Sequence, residues 1–180
     1  MSFINDDFIL KNETAKALYN NFAKDMPIID YHCHLIPEMV ASDHKFKSIT
    51  ELWLGGDHYK WRLMRSNGVD EYYITGDAPE KEKFLKFAEM LPGAIGNPMY
   101  HWCHLELKKY FGFEGALCKE TAEEVWELCN EKLKGMSVRS IIKDSNVAFI
   151  GTTDDPVDSL EYHTLIAQDE SFDTVVAPSF

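Results

Sequence analysis

Two histidines separated by one residue, His32 and His34, form the pattern in this sequence with the clearest potential for chemistry. In an extended strand successive side chains point to opposite faces, so these imidazoles share one face, with Cα atoms about 7 Å apart, and Cys33 points away. Two such rings can each place a nitrogen about 2.0–2.1 Å from one zinc ion. Histidines at a strand end can also simply bond loop backbone. A metal would need a third ligand, which we expect to be a carboxylate from elsewhere.

A second cluster of polar residues occupies 56–65 (GDHYKWRLMR). Asp57 is a typical helix cap, and on the helix that follows it His58, Arg62 and Arg65 lie along one stripe with Tyr59 beside them. A phenol there can shuttle a proton, and an arginine can pair with a carboxylate substrate. Spacing alone favours the simpler interpretation, which is a solvated basic face.

Two further groups of polar residues have simple explanations. Residues 152–155 follow a predicted strand, where hydroxyls and carboxylates can face an active site, but Asp155 before a proline is also typical of a helix start. His101 and His104 have a spacing that places two rings on one helical face. Without an acidic neighbour they are interpreted as packing or surface histidines. The sequence assigns no role to Asp154 or His163.

An alternation of apolar strands and helices positions these residues. Strands expected to be buried are predicted over 27–31, 146–151 and 174–178. Helices are predicted over 12–24, with Asn12 as the cap, and over 157–167. Most of 48–144 carries helical signals, among them a capping box from Ser48 to Glu51 and a left-handed helix end at Gly68. This order is typical of a parallel α/β sheet, in which ligands bind beyond the carboxyl ends of the strands. The histidine pair and residues 152–155 both fall there.

Composition excludes several classes of protein. The 180 residues are 45% hydrophobic, enough for a globular core. A net charge of −12 opposes general affinity for nucleic acid or anionic lipid. The sequence contains no apolar run of about 18 residues and no secretory leader, and its cysteines are irregularly spaced. We therefore expect a cytoplasmic protein that has neither nucleic acid nor a membrane as a partner.

Four segments together resemble the successive signatures of the uronate (glucuronate) isomerase family, within the amidohydrolase superfamily. They are 30–35 (DYHCHL), 56–62 (GDHYKWR), 96–102 (GNPMYHW) and 151–156 (GTTDDP). They follow the family's order along essentially the whole chain. The resemblance implies that residues 1–180 form the N-terminal portion of a metal-dependent (β/α)8 TIM barrel, incomplete at this length. It also implies a large helical insertion after strand 1, at about 48–144.

The resemblance implies an activity as well. The family interconverts D-glucuronate with D-fructuronate, and D-galacturonate with D-tagaturonate, by moving a proton from C2 to C1 through a cis-enediol. His32 and His34 match its ligands to a divalent metal, usually zinc. His58 and Tyr59 match a pair at the substrate pocket, with Tyr59 suited to shuttling a proton between the C1 and C2 oxygens. Arg62 is a weaker candidate for binding the substrate carboxylate.

In the family, the carboxylate ligand of the metal and a substrate-binding arginine lie farther along the chain than this sequence extends. We therefore expect the 180 residues alone to be inactive, with association between copies as one way to cover an open sheet edge. Two other hypotheses stay open. One is a metal-dependent hydrolase of the same superfamily, and the other is a non-catalytic folding or interaction module.

Overall fold

The computed structural model describes residues 4–179 of the chain. These residues form two units. The sheet unit comprises residues 10–45 and 136–179, and the helical unit comprises residues 4–9 and 46–135. The chain thus leaves the sheet unit after residue 45 and returns to it at residue 136.

The regular elements alternate as the sequence predicts. In chain order they are α1 (Glu13–Leu18), a π-helical turn (Tyr19–Ala23), β1 (Ile28–Cys33), α2 (Pro37–Ala41), α3 (Ile49–Leu54), α4 (His58–Ser66), a 3-10 turn (Glu71–Tyr73), α5 (Glu80–Met90), a second 3-10 turn (Leu91–Ala94), α6 (Pro98–Phe111), α7 (Ala122–Leu133), α8 (Val138–Asp144), β2 (Val147–Thr153), α9 (Glu161–Gln168) and β3 (Val175–Ser179). The strands form one parallel sheet in the order β1, β2, β3, which confirms the prediction of a parallel α/β arrangement. The sequence signals do not predict α2.

The helical unit buries an aromatic core. The Trp53 ring lies 6.2 Å from the ring of Phe84 and 5.8 Å from that of Phe87, centroid to centroid. Both phenylalanines are fully buried, and each such side chain contributes about 1.5–3 kcal/mol through removal of apolar surface from water. Within residues 4–179, no helix is both long and apolar enough to cross a membrane.

The caps predicted at Asn12 and Ser48 and the helix end predicted at Gly68 are confirmed, but the capping box predicted between Ser48 and Glu51 is wrong. The side chains of Asn12 and Ser48 each accept a hydrogen bond from the backbone N–H three residues later, at 2.8 and 3.2 Å. The Glu51 carboxylate does not accept from the N–H of Ser48, as a capping box requires. It accepts instead from the N–H of Lys47, at 2.6 Å. Gly68 follows α4 with φ of +78°, the left-handed conformation that glycine adopts without strain. The confirmed signals are reliable because each depends on neighbouring residues only.

Three predictions at the carboxyl end of β2 are wrong. Thr152 and Thr153 belong to the strand rather than to a loop, because both continue its register with β3. Asp155 does not cap a helix, since its carboxylate accepts from the N–H two residues on, at 3.0 Å, within a turn. Leu160, at φ of +53°, then precedes the helix, so α9 begins at Glu161, four residues after its predicted start.

The prediction that all three strands are buried is also wrong. Ile150 of the central strand is 1% exposed, whereas Ile29 and Tyr31 of β1 are 58% and 80% exposed, and Val175 of β3 is 56% exposed. Among the described residues, β1 and β3 each pair with β2 alone. An apolar pattern shows that a strand suits burial, but it does not show that another surface covers it.

Candidate functional site

The candidate metal-binding pair lies at the carboxyl end of β1. His32 is the penultimate residue of the strand and His34 follows its end. Their ring centroids are 5.4 Å apart, with the ring planes at 79°. A nitrogen about 2.0–2.1 Å from zinc places its ring centroid about 3.2 Å from the ion, so two rings at a tetrahedral angle have centroids about 5.2 Å apart. The observed separation is therefore compatible with a shared ion.

By itself the histidine pair would be an incomplete metal site. Within residues 4–179, no three His, Cys, Asp or Glu side chains are grouped so that they can hold an ion together. Catalytic zinc sites use three protein ligands, and the histidine pair would account for two of them. Burial raises the pKa of the Cys33 thiol, and the charges of Asp30 and Asp154 raise it further. Since metals bind the thiolate, Cys33 is poorly suited as the third ligand.

A β-bulge includes the first histidine of this pair. Asp30 pairs with Ile150 and Cys33 pairs with Thr152, so two residues of β1 oppose the single residue Gly151 of β2. Bulges of this kind re-aim side chains at strand ends and are common next to active sites. At Gly151 a Cβ atom would lie 2.5 Å from the carbonyl oxygen of Tyr31, which is backbone and cannot swing away. Glycine is therefore required where the two strands approach most closely.

We expect Gly151→Ala to lower the free energy of unfolding by about 1–3 kcal/mol, because the added methyl group forces the two strands apart. Urea denaturation followed by circular dichroism measures this. Gly56→Ala is the matched control, since a Cβ there meets no atom within 4 Å, and it should leave the urea midpoint unchanged. Equal midpoints for the two variants would show that the close approach is not required.

The carboxyl end of β2 carries a buried polar network that the sequence does not reveal. The Thr152 hydroxyl lies 2.7 Å from Asp154 Oδ2 and 2.7 Å from His163 Nε2. Its single proton is donated to the carboxylate, so His163 donates its Nε2–H to the hydroxyl oxygen. The Asp154 and His163 side chains are 6% and 9% exposed, and together with Glu38 they line an open cavity of about 250 Å³. The turn before α9, which the sequence does not predict, brings these side chains together.

The second candidate cluster lies on α4 in the helical unit, as predicted. The rings of His58 and Tyr59 have centroids 4.4 Å apart, and the guanidinium of Arg62 lies 5.7 Å from the Tyr59 ring centroid. Tyr59 is 56% exposed, so its phenol is open to a ligand. Arg65 is not part of this group, because its guanidinium bonds both carboxylate oxygens of Glu71 at 2.6 and 2.8 Å.

An ion pair beneath α4 fixes the start of the helix. The Asp57 carboxylate accepts from the N–H of Tyr59 at 2.9 Å and from that of Lys60 at 3.1 Å, and it also accepts from Lys60 Nζ at 2.7 Å. Lys60 is 7% exposed, and its ammonium lies 5.7 Å from the Trp53 ring centroid. Burial alone would raise the pKa of Asp57, but the hydrogen bonds and charge of Lys60 outweigh it and lower that pKa.

We expect Lys60→Met to cost about 1–3 kcal/mol of unfolding free energy, because it deprives the partly buried Asp57 carboxylate of its counter-ion. A carboxyl group with a lowered folded-state pKa stabilises the fold above its unfolded pKa, and this contribution is lost as pH falls through the folded value. The share of this difference that comes from Asp57 should therefore shrink below about pH 4. The charge of Lys60 also acts on Glu106, whose pKa burial raises, so as pH falls the share that comes from Glu106 should shrink at a higher pH. Urea titrations at several pH values measure it.

Lys134→Met is the control for this change, because Lys134 pairs with Glu131 at a site where both side chains are 72% exposed. Exposed pairs contribute about 0–1 kcal/mol. A loss for Lys60→Met no larger than that of the control would contradict the role of the buried pair.

His104 is a packing residue, as the sequence predicts. It is 3% exposed, and its Nε2 accepts from the N–H of Leu117 at 2.9 Å. Its Nδ1–H therefore donates to the carbonyl of Tyr100, at 2.5 Å. Burial lowers the pKa of His104 and keeps the ring neutral. With both nitrogens bonded to backbone, His104 has no lone pair to offer a metal.

The fold and these side chains define a parallel α/β protein with a histidine pair at a strand end and a tyrosine-bearing helix. Comparison with known proteins gives the family. The model of the family described as UxaC, glucuronate isomerase, matches residues 1–180. The chain belongs to this family.

Similar proteins agree with this assignment. The chain is 61% identical over 180 residues to uronate isomerase of Lachnoclostridium phytofermentans and 59% identical to that of Lachnospira eligens, covering 99% of the chain in each case. The crystal structure of uronate isomerase from Thermotoga maritima superimposes with a TM-score of 0.94 at 38% identity over 99% of the chain. The chain spans 38–39% of the length of these three relatives.

Proposed function

We propose that this chain carries part of the active site of a hexuronate isomerase, which interconverts D-glucuronate with D-fructuronate and D-galacturonate with D-tagaturonate. The observation that carries the proposal is the pair of rings of His32 and His34, 5.4 Å apart at a strand end, in a chain that belongs to the glucuronate isomerase family. Each relative is named as an isomerase of uronates, which are sugar acids.

We propose a (β/α)8 barrel of the amidohydrolase superfamily as the fold of the longer polypeptide. Three parallel strands cannot close into a barrel. The exposed side chains of Ile29, Tyr31 and Val175 suit burial against further elements, and the relatives are long enough to supply these. On this view β1 and β3 are exposed because the 180 residues contribute only part of the barrel, and other elements of the longer polypeptide would cover them.

His32 and His34 would hold one divalent ion, proposed to be zinc, together with a carboxylate from outside the described residues. When bound, the ion would polarise substrate oxygens and stabilise the negative charge that develops as the enediol forms. The fit rests on the ring separation and on the preference of zinc for neutral imidazole nitrogen. The two side chains lie at the carboxyl end of the sheet, where α/β proteins bind ligands, so an ion held by them would lie there as well.

Tyr59 is proposed to move a proton between the C1 and C2 oxygens of the open-chain sugar. Its phenol can donate to one oxygen and accept from the other without a change in the carbon skeleton. His58, whose ring lies 4.4 Å from that of Tyr59, would keep the phenol oriented. Arg62 would pair with the substrate carboxylate, for which a guanidinium is well suited. The base that removes the C2 proton is not assigned to a residue of this chain.

A chimaera tests this function. In it, the chain replaces the segment of Lachnospira eligens uronate isomerase that it matches. We expect the chimaera to isomerise D-glucuronate and D-galacturonate and to leave ester and amide substrates intact, and we expect the 180 residues alone to be inactive. Hydrolysis without isomerisation would favour the hydrolase hypothesis. A folded chimaera that does neither would favour a non-catalytic module.

A further inference from the structure

We propose that Thr153 is a positioning residue that holds the His34 ring in place beside His32. The proposal rests on the metal site of the proposed function. The hydroxyl of Thr153 donates a hydrogen bond to the carbonyl oxygen of Cys33, at 2.9 Å. This carbonyl belongs to the peptide bond between Cys33 and His34. Fixing it restricts ψ of Cys33 and φ of His34, the two backbone rotations that set where the second ring lies.

The position of His34 makes such a restraint useful. β1 ends at Cys33, so the regular ladder with β2 does not extend to His34. The Thr153 side chain supplies a cross-strand bond at the point where that ladder stops. Metal ligands must lie within about 0.2 Å of their ideal distances, so a small rotation of this peptide is enough to move one nitrogen out of reach.

The backbone around Thr153 is itself held by β3, which pairs with β2 on the edge opposite to β1. Its partner in register on β3 is Ser179. The N–H of Asp154 donates to the Ser179 carbonyl at 3.1 Å, and the Ser179 hydroxyl donates to the Thr152 carbonyl at 2.6 Å. Because threonine is branched at Cβ, its χ1 angle is restricted and its hydroxyl keeps its direction. The backbone of Thr153 is thus fixed by β3 while its side chain restrains β1.

Thr153 and its neighbour Thr152 differ in burial, and this difference allows the positioning role to be tested without disturbing the fold. Thr152 is fully buried and belongs to the polar network with His163, so changing it would disturb the fold. Thr153 lies next to it on the opposite face and is exposed. Replacing the Thr153 hydroxyl with a methyl group in Thr153→Val keeps the shape and the β-branch and removes only the bond to Cys33.

The test compares Thr153→Val with Thr153→Ser in the 180-residue chain. Two measurements are made: zinc affinity, by titration with zinc alone against a chelating dye, and the nuclear Overhauser effect between the ring protons of His32 and His34 without metal. We expect Thr153→Val to weaken zinc binding about 10-fold and to weaken the ring-to-ring signal. Thr153→Ser should retain both, and the urea midpoint should not change. Thr164→Val, which removes an exposed hydroxyl bonded to backbone on α9, is the matched control.

The outcomes separate this proposal from the proposed function. If the wild-type chain does not bind zinc at His32 and His34 while the ring-to-ring signal still depends on the Thr153 hydroxyl, the metal site fails and the positioning role stands. If zinc binds and neither measurement changes in Thr153→Val, the positioning role is overturned. Equal losses in the Val and Ser variants would also overturn it, because the hydroxyl would then not be the group that matters.

Discussion

Zinc binding by this chain is expected to disappear when His32 and His34 are both replaced by alanine. The two rings are the proposed nitrogen ligands at the carboxyl end of β1, and their centroids lie 5.4 Å apart. Loss of an outer partner of a metal ligand alone costs about 10–100-fold in affinity, so loss of two ligands should exceed that range. Titration with zinc against a chelating dye, with circular dichroism to check the fold, measures the effect.

Two control variants make this result specific. His101→Ala removes a half-buried histidine of the helical unit and should leave zinc affinity unchanged. Cys33→Ser tests the thiol of the residue that separates the two histidines in sequence; its raised pKa disfavours the thiolate, so this change should also have little effect. Zinc binding that survives the double alanine variant but is lost in Cys33→Ser would place the metal on sulfur and remove the basis of the proposed site.

Tyr59→Phe is expected to lower kcat of the chimaera about 10²- to 10⁴-fold with little change in KM, because it removes the hydroxyl proposed to shuttle the proton and leaves the ring in place. The ring should keep its contacts with His58 and Arg62, which involve its face and not its oxygen. The side chain is 56% exposed, so the unfolding free energy should not change appreciably. Steady-state isomerisation of D-glucuronate measures both kinetic constants.

Tyr72→Phe is the matched control for this variant, because Tyr72 is an exposed tyrosine of the same unit, 47% accessible. It should retain wild-type kcat. A Tyr59→Phe variant with unchanged kcat, or with a change confined to KM, would contradict proton transfer by this phenol and leave it at most a binding group.

Much of the fold follows from local sequence signals. Asn12, Ser48 and Asp57 cap helices as predicted, since a cap requires only its own side chain and the next few backbone N–H groups. The three strands form within two residues of their predicted limits, because short β-branched runs between helices favour extended structure. The spacing of His32 and His34 likewise predicts neighbouring rings, as a strand alternates its side chains.

Contacts between distant residues were beyond local signals. The bond from Thr153 to Cys33 joins residues 120 positions apart, and the fit of Gly151 against Tyr31 depends on a bulge in a different strand. Lysine is rarely buried without a partner, and only packing in the helical unit shows that Lys60 has one.

The sequence by itself determined the strands to within two residues of their limits, most of the helices, which strand end carries the two histidines, and which residues share the start of α4. Tertiary structure decided which strands are covered and how the peptide before His34 is held. It also decided that Asp154 and His163 meet at Thr152. The physical reason is that backbone preference and capping act over a few residues, whereas burial and cross-strand hydrogen bonds depend on which distant surfaces the completed fold brings together.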